Sequence, residues 1–103
     1  MKNIAVCYNQ NIDNSVAVKD ELLNILLNKG LSAKTISIDN LQSGFDFVFV
    51  VGGDGTILKA ARFFAKHQIP IFGINLGRLG FLSQASEKNL SLTVEKILNI
   101  VAF

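Results

Sequence analysis

A chain of 103 residues is the size of one ordinary domain, and with 50% of its residues apolar and 17% charged it falls outside the disordered class and should bury a single core. A net charge of +2, with no run of five basic residues, excludes an electrostatic footprint for nucleic acid or for an anionic membrane surface. The single cysteine, Cys7, excludes a disulfide framework and a metal-binding cysteine pair, and the apolar run after Lys2 is too short for a signal-peptide core or a membrane span, so a soluble, unprocessed cytoplasmic protein is expected.

The run from Lys2 to Tyr8 is β-prone and ends in a polar turn, Asn9 to Ser15, that offers several N-cap candidates. From Ser15 to Lys29 the residues Val18, Leu22, Leu23, Leu26 and Leu27 recur at helical spacing, and Gly30 stands where a helix C-terminus favours glycine. Leu31 to Ile38 alternates as a half-exposed strand does, which places it at a sheet edge, and Asp39 to Gly44 forms its polar exit. Phe45 to Val51 is almost wholly apolar and reads as a strand buried on both faces.

A glycine-rich turn, Gly52-Gly-Asp-Gly55, follows at once. Thr56 to His67 predicts a second helix, closed by Ile69-Pro70 because proline disfavours helix in the residue before it. Another buried strand, Ile71 to Asn75, runs into a second glycine loop, Leu76 to Leu82, and Leu90 to Val101 predicts a last helix. Strands alternating with helices through short connections imply an α/β chain: a three-layer, Rossmann-like domain with a parallel sheet and helices on both faces. Ligands bind such sheets at the carboxyl ends of the strands, and Asn9, the Gly52 to Gly55 turn and the Asn75 to Phe81 loop all fall on that rim.

The first glycine turn opens a helix, so its amide groups and the positive end of the helix dipole favour a phosphate there, and glycines permit backbone conformations and close approaches that other residues refuse. Its pattern matches neither the Gly-x-Gly-x-x-Gly dinucleotide fingerprint nor the Gly-Lys-Ser/Thr ending of the common triphosphate loop. What sets it apart is Asp54, whose carboxylate can accept a proton from a hydroxyl while amides and a cation hold the phosphoryl group in transfer. The competing role for Asp54 is a helix N-cap.

Gly52-Gly-Asp-Gly-Thr56 resembles the GGDGT signature of a kinase superfamily that contains NAD kinases, diacylglycerol and sphingosine kinases and, more distantly, phosphofructokinases. Gly73-Ile-Asn-Leu-Gly-Arg-Leu-Gly-Phe-Leu82 resembles the second segment of the NAD kinases in particular, and the Gly-Thr-Gly-Asn segment of the lipid kinases is absent. The resemblance implies ATP-dependent phosphorylation of the 2′-hydroxyl of the adenosine ribose of NAD, giving NADP, with a divalent cation, magnesium, on the phosphates. It implies Asp54 as the base and Asp54, Gly55, Lys59 and Phe81 as nucleotide contacts, Phe81 lying against the adenine. Lys59 could equally be a solvated helix-face lysine, Phe81 a core residue, and Asn75 and Gly77 shapers of the loop.

By the same resemblance, residues 1–103 are the N-terminal α/β domain, the family's second, mainly β domain lies outside this chain, and the full-length enzyme is a homo-oligomer. The isolated chain is then expected to have an incomplete site. A lipid kinase of the same superfamily, or a nucleotide-binding fragment without catalysis, stands as the alternative, and the lack of an amphipathic basic helix argues against the first. No cluster of metal-ligating side chains is visible, so no protein metal site is expected. His67, near the end of its helix away from the glycine turn, suits dipole compensation better than catalysis.

Overall fold

The structure, a computed structural model, describes residues 3–76, 85–86 and 89–101. In chain order these form β1 (Ile4–Tyr8), α1 (Ser15–Asn28), β2 (Ala33–Ser37), β3 (Phe47–Gly52), α2 (Asp54–Lys66), β4 (Ile71–Asn75), β5 (Ala85–Ser86) and α3 (Leu90–Val101). The strands make one sheet in the order β2-β1-β3-β4-β5, and every pairing is parallel. The α/β architecture expected from the sequence is therefore the observed one.

Alternation along the strands sets the layers, because successive side chains point to opposite faces. Ile4 and Val6 of β1 with Phe47, Phe49 and Val51 of β3 meet Val18, Leu22 and Leu26 of α1 and Leu90 and Val94 of α3. Ala5 and Cys7 with Val48 and Val50 meet Ile57, Ala60 and Phe64 of α2 on the other face. All six residues of β3 are buried, as the unbroken apolar run predicts for a strand covered on both sides. β2, with a half-exposed pattern, is the edge strand.

Most predicted boundaries hold to within two residues. Gly30 does adopt a left-handed φ of 82°, and the amides of Gly30 and Leu31 reach back to Leu27 and Leu26, a paired closure that satisfies the last carbonyls of α1. α2 ends by the same device rather than at Pro70: Gln68, at φ 57°, donates to Ala65 and Ile69 to Phe64. At the start of α1 no side chain caps the helix, and Asn14 instead takes a left-handed φ of 72°.

Cys7 of β1 lies wholly buried in the layer beneath α2. Burial pushes its thiol from the ordinary 9.0 up to about 12, with Lys59 opposing. An unfolded chain therefore sheds this proton first as pH rises from 9.0 to about 12, so the thiol's contribution to stability is complete below that window and is lost across it. The unfolding free energy measured in urea should fall as pH climbs above 9.0, by at most about 1.4 kcal/mol per pH unit. A Cys7→Ala protein should lack that component, and one with the same alkaline slope would assign it to other groups.

Candidate functional site

β1 and β3 are neighbours, yet the chain leaves β1 towards β2 and leaves β3 towards β4. Their outgoing loops diverge, and such a point in a parallel sheet opens a crevice beyond the strand ends. A cleft of about 380 Å³ occupies it, walled by Asn9, Asn11 and Ile12 after β1, Ile38 and Asp39 after β2, and Gly53, Gly55, Thr56 and Lys59 at the start of α2. The loop after β1 is tied to the glycine turn, since Asn9 donates through Nδ2 to Thr56 Oγ1 at 3.0 Å while its Oδ1 accepts from the amide of Asn11, also at 3.0 Å. The rim is thus braced before any ligand arrives.

The three loop glycines have different reasons to be there. A Cβ on Gly52 would lie 2.6 Å from Thr56 Cβ, so glycine at 52 is a packing requirement. A Cβ on Gly55 would meet nothing within 4 Å, and one on Gly53 only Ile12 at 4.0 Å. None of the three has a positive φ, so the special backbone geometry expected of this turn is not what it uses. The fold does not need glycine at 53 or 55; what their missing side chains leave is open space beside the backbone at a helix start, where an anionic ligand can approach the amides.

α2 begins at Asp54, two residues earlier than the sequence pattern suggests, and Gly53 is the capping position with no side-chain cap bond. Asp54 is therefore not the N-cap. Its Oδ1 accepts from Nδ2 of Asn75 at 3.2 Å, and Asn75 is a buried polar residue at the end of β4 whose Cα is in register with Gly52. The amide of Leu76 also donates to the carbonyl of Gly52 at 3.2 Å. Asp54 accordingly engages the β4 side of the turn, whereas Gly53 and Gly55 on either side of it line the cleft that opens towards β1 and β2.

Of the residues singled out from sequence, Gly55 and Lys59 sit on the cleft and Asp54 stands beside it. Phe81, Gly77 and Arg78 lie outside the described residues. His67 follows the far end of α2, its ring 4.9 Å from that of Phe63, away from the glycine turn. Sequence reasoning put Asn75 on the rim as a loop shaper and Thr56 in the glycine motif without a role, and left Asp39 as a turn residue; strand register and sheet order, which set Asn75 against Asp54 and bring Asp39 to this cleft, carry no local signal. Among the described residues no three carboxylates, histidines or cysteines gather as an ion site, and no helix is long and apolar enough to cross a membrane.

Residues 4–101 match the family described as the ATP-NAD kinase N-terminal domain. The chain is 34% identical over 103 residues to the NAD kinase of Flavobacterium johnsoniae, covering 96% of this chain and 35% of that protein. It is 36% identical over 111 residues to the NAD kinase of Geotalea daltonii, covering 95% and 39% respectively. A 60-residue stretch is 50% identical to the NAD kinase of Carboxydothermus hydrogenoformans, 58% of this chain and 21% of that one. The chain thus spans well under half the length of these curated relatives.

Proposed function

Because the chain belongs to the family of ATP-NAD kinase N-terminal domains, we propose that it carries the phosphoryl-transfer loop of an enzyme that moves the γ-phosphoryl group of ATP to the 2′-hydroxyl of the adenosine ribose of NAD, giving NADP. One observation carries the reading beyond family membership: the carboxylate of Asp54 is held by Asn75 at the mouth of a helix whose first amides are open to phosphate. A charge next to a phosphate site is repelled unless it acts on the incoming nucleophile.

In this reading Asp54 accepts the proton of the 2′-hydroxyl as the ribose oxygen bonds to the γ-phosphorus and the bond from that phosphorus to the departing ADP oxygen breaks. The open amides at the start of α2 and the ammonium of Lys59 hold the phosphates. Gly55 leaves room for NAD, and we assign Phe81 to the adenine face by the family resemblance. A magnesium ion arriving on the nucleotide would be held mainly by phosphate oxygens and water and would neutralise phosphate charge, with the Asp54 carboxylate and the Thr56 hydroxyl the hard oxygen donors at the start of α2. We further propose that the remainder of the enzyme completes the NAD pocket and the oligomer, and that the whole acts in NADP biosynthesis in the cytoplasm.

The test is an assay with labelled ATP and magnesium on the native polypeptide that carries this sequence, with NAD and diacylglycerol offered in parallel. Label in NADP is the expected result. Label in the lipid alone would move the chain to the lipid kinases, and no transfer by a folded protein that binds ATP would leave a nucleotide-binding domain without this catalysis.

A further inference from the structure

We propose that the cleft beyond β1, β2 and β3 holds the phosphoryl-donor nucleotide, and that Asp39 is the residue that binds its ribose hydroxyls. The inference rests on the reading of this rim as a phosphoryl-transfer site and gives that site a direction: donor on the β2 side, acceptor on the β4 side, Asp54 between them.

Four observations carry it. The cleft, about 380 Å³, is within the range of small-molecule sites. Its two ends have opposite chemistry. Gly53, Gly55 and Lys59 with the start of α2 make one end attractive to phosphate, while Asp39 puts a carboxylate at the other, and Ile12 and Ile38 give apolar wall between them. β2 and β3 are separated only by β1, so the two ends stand about two strand spacings apart, roughly 10 Å, which suits phosphates at one end and a ribose at the other.

The carboxylate is also held ready. The amide of Asp39 donates to Ser37 Oγ at 3.1 Å, the Ser37 hydroxyl donates to Gln10 Oε1 at 2.7 Å, and Gln10 Nε2 donates to Asp39 Oδ2 at 2.7 Å. This closed ring joins the loop after β1 to the end of β2. A turn residue needs only the first of those bonds; the bond from Gln10 fixes the carboxylate itself and the Ser37 hydroxyl orients Gln10, with Oδ1 of Asp39 remaining as an acceptor for a hydroxyl. Among the described residues no lysine or arginine pairs with Asp39, so its charge is not cancelled. A free ribose diol, a pair of donors, complements it, and a 2′-phosphorylated ribose is repelled. The donor cleft consequently rejects the very group that the reaction installs on the acceptor.

The experiment measures magnesium-ADP, 2′-deoxy-ADP and 3′-deoxy-ADP binding by calorimetry on the native polypeptide, unmodified and as Asp39→Asn and Asp39→Ala. Because Asp39 is exposed, neither substitution disturbs the core. The unmodified protein should prefer the ribonucleotide over at least one deoxy analogue by about tenfold to a hundredfold, the worth of a hydroxyl bonded to a carboxylate. Both variants should bind ribo- and deoxynucleotides alike, and their KM for ATP should rise. Equal discrimination by variants and parent, or no discrimination by the parent, overturns the assignment, as does a rise in the KM for NAD with that for ATP unmoved. Phosphoryl transfer to NAD, assayed alongside, keeps the two readings apart. Transfer without Asp39-dependent discrimination sinks the ribose site alone, and discrimination without transfer sinks the NAD kinase activity alone.

Discussion

An Asp54→Asn enzyme is expected to transfer phosphate to NAD about two to four orders of magnitude more slowly than the parent, the usual worth of a positioned general base. The substitution isolates the proton from the geometry. Asparagine has the same shape, and its amide oxygen can accept from Asn75 Nδ2 as Oδ1 of Asp54 does at 3.2 Å, so the turn and the start of α2 should survive. Only the capacity to take up a proton is removed. The measurement is kcat for NADP formation by the native polypeptide at saturating ATP, with binding of magnesium-ADP as the control that the loop still holds phosphates. A rate within a factor of a few of the parent would mean that the 2′-hydroxyl needs no base here and that Asp54 is kept for structure. Asn75→Ala should give a smaller loss in kcat, because it frees the carboxylate to turn without removing it.

Phe49→Ala should cost about 3–5 kcal/mol of stability, the range for truncating a buried aromatic residue. Phe49 is fully buried in the central strand, and its ring stands edge-on to Phe47 at 5.1 Å and to Phe72 at 6.4 Å between centroids. Three rings from β3 and β4 thus form part of the layer beneath α1 and α3. Neighbours this rigid cannot collapse into the void, so the lost contacts add to the lost transfer energy. Against a total stability of about 5–15 kcal/mol for an ordinary domain, the loss is a large share. Urea unfolding of this domain followed by its far-ultraviolet signal would report it as a lower midpoint at an unchanged slope. A change under about 1 kcal/mol would mean that this layer is looser than the buried areas indicate.

The sheet and helices were legible because each strand and helix carries its own period: the apolar run of β3, the alternation of β2 and the helical spacing of Val18, Leu22 and Leu26 are local signals. α2 began early since Asp54 and Gly55 look like loop residues, glycine being a poor helix former, yet the chain is already coiled there. β5, with two residues, Ala85 and Ser86, is too short to have a pattern at all. At the site, Asp54, Gly55 and Lys59 could be picked out because they share one short motif. Asn75 could be placed on the rim but not against Asp54, because what brings the two together is the pairing of β3 with β4, and Asp39 could not be placed there at all, because what brings it to the same cleft as Gly53 is the place of β1 between β2 and β3.

The all-parallel ladder bears on how the chain comes to be folded in the first place. Ile4 of β1 is bonded in register with Ala33 on one side and with Phe47 on the other, so no two neighbouring strands can be joined by a hairpin and each ladder must wait for a crossover to close. Contacts of such long sequence separation slow the search for the native state. During synthesis β1 emerges first and stays without a partner until β2 has followed α1, and the central strand arrives later still. We expect the nascent chain to acquire protease resistance only after Val101 has cleared the exit tunnel, and in one step rather than strand by strand, since one hydrophobic layer needs Ile57, Ala60 and Phe64 of α2 and the other needs Ile74 of β4 with Leu90 and Val94 of α3.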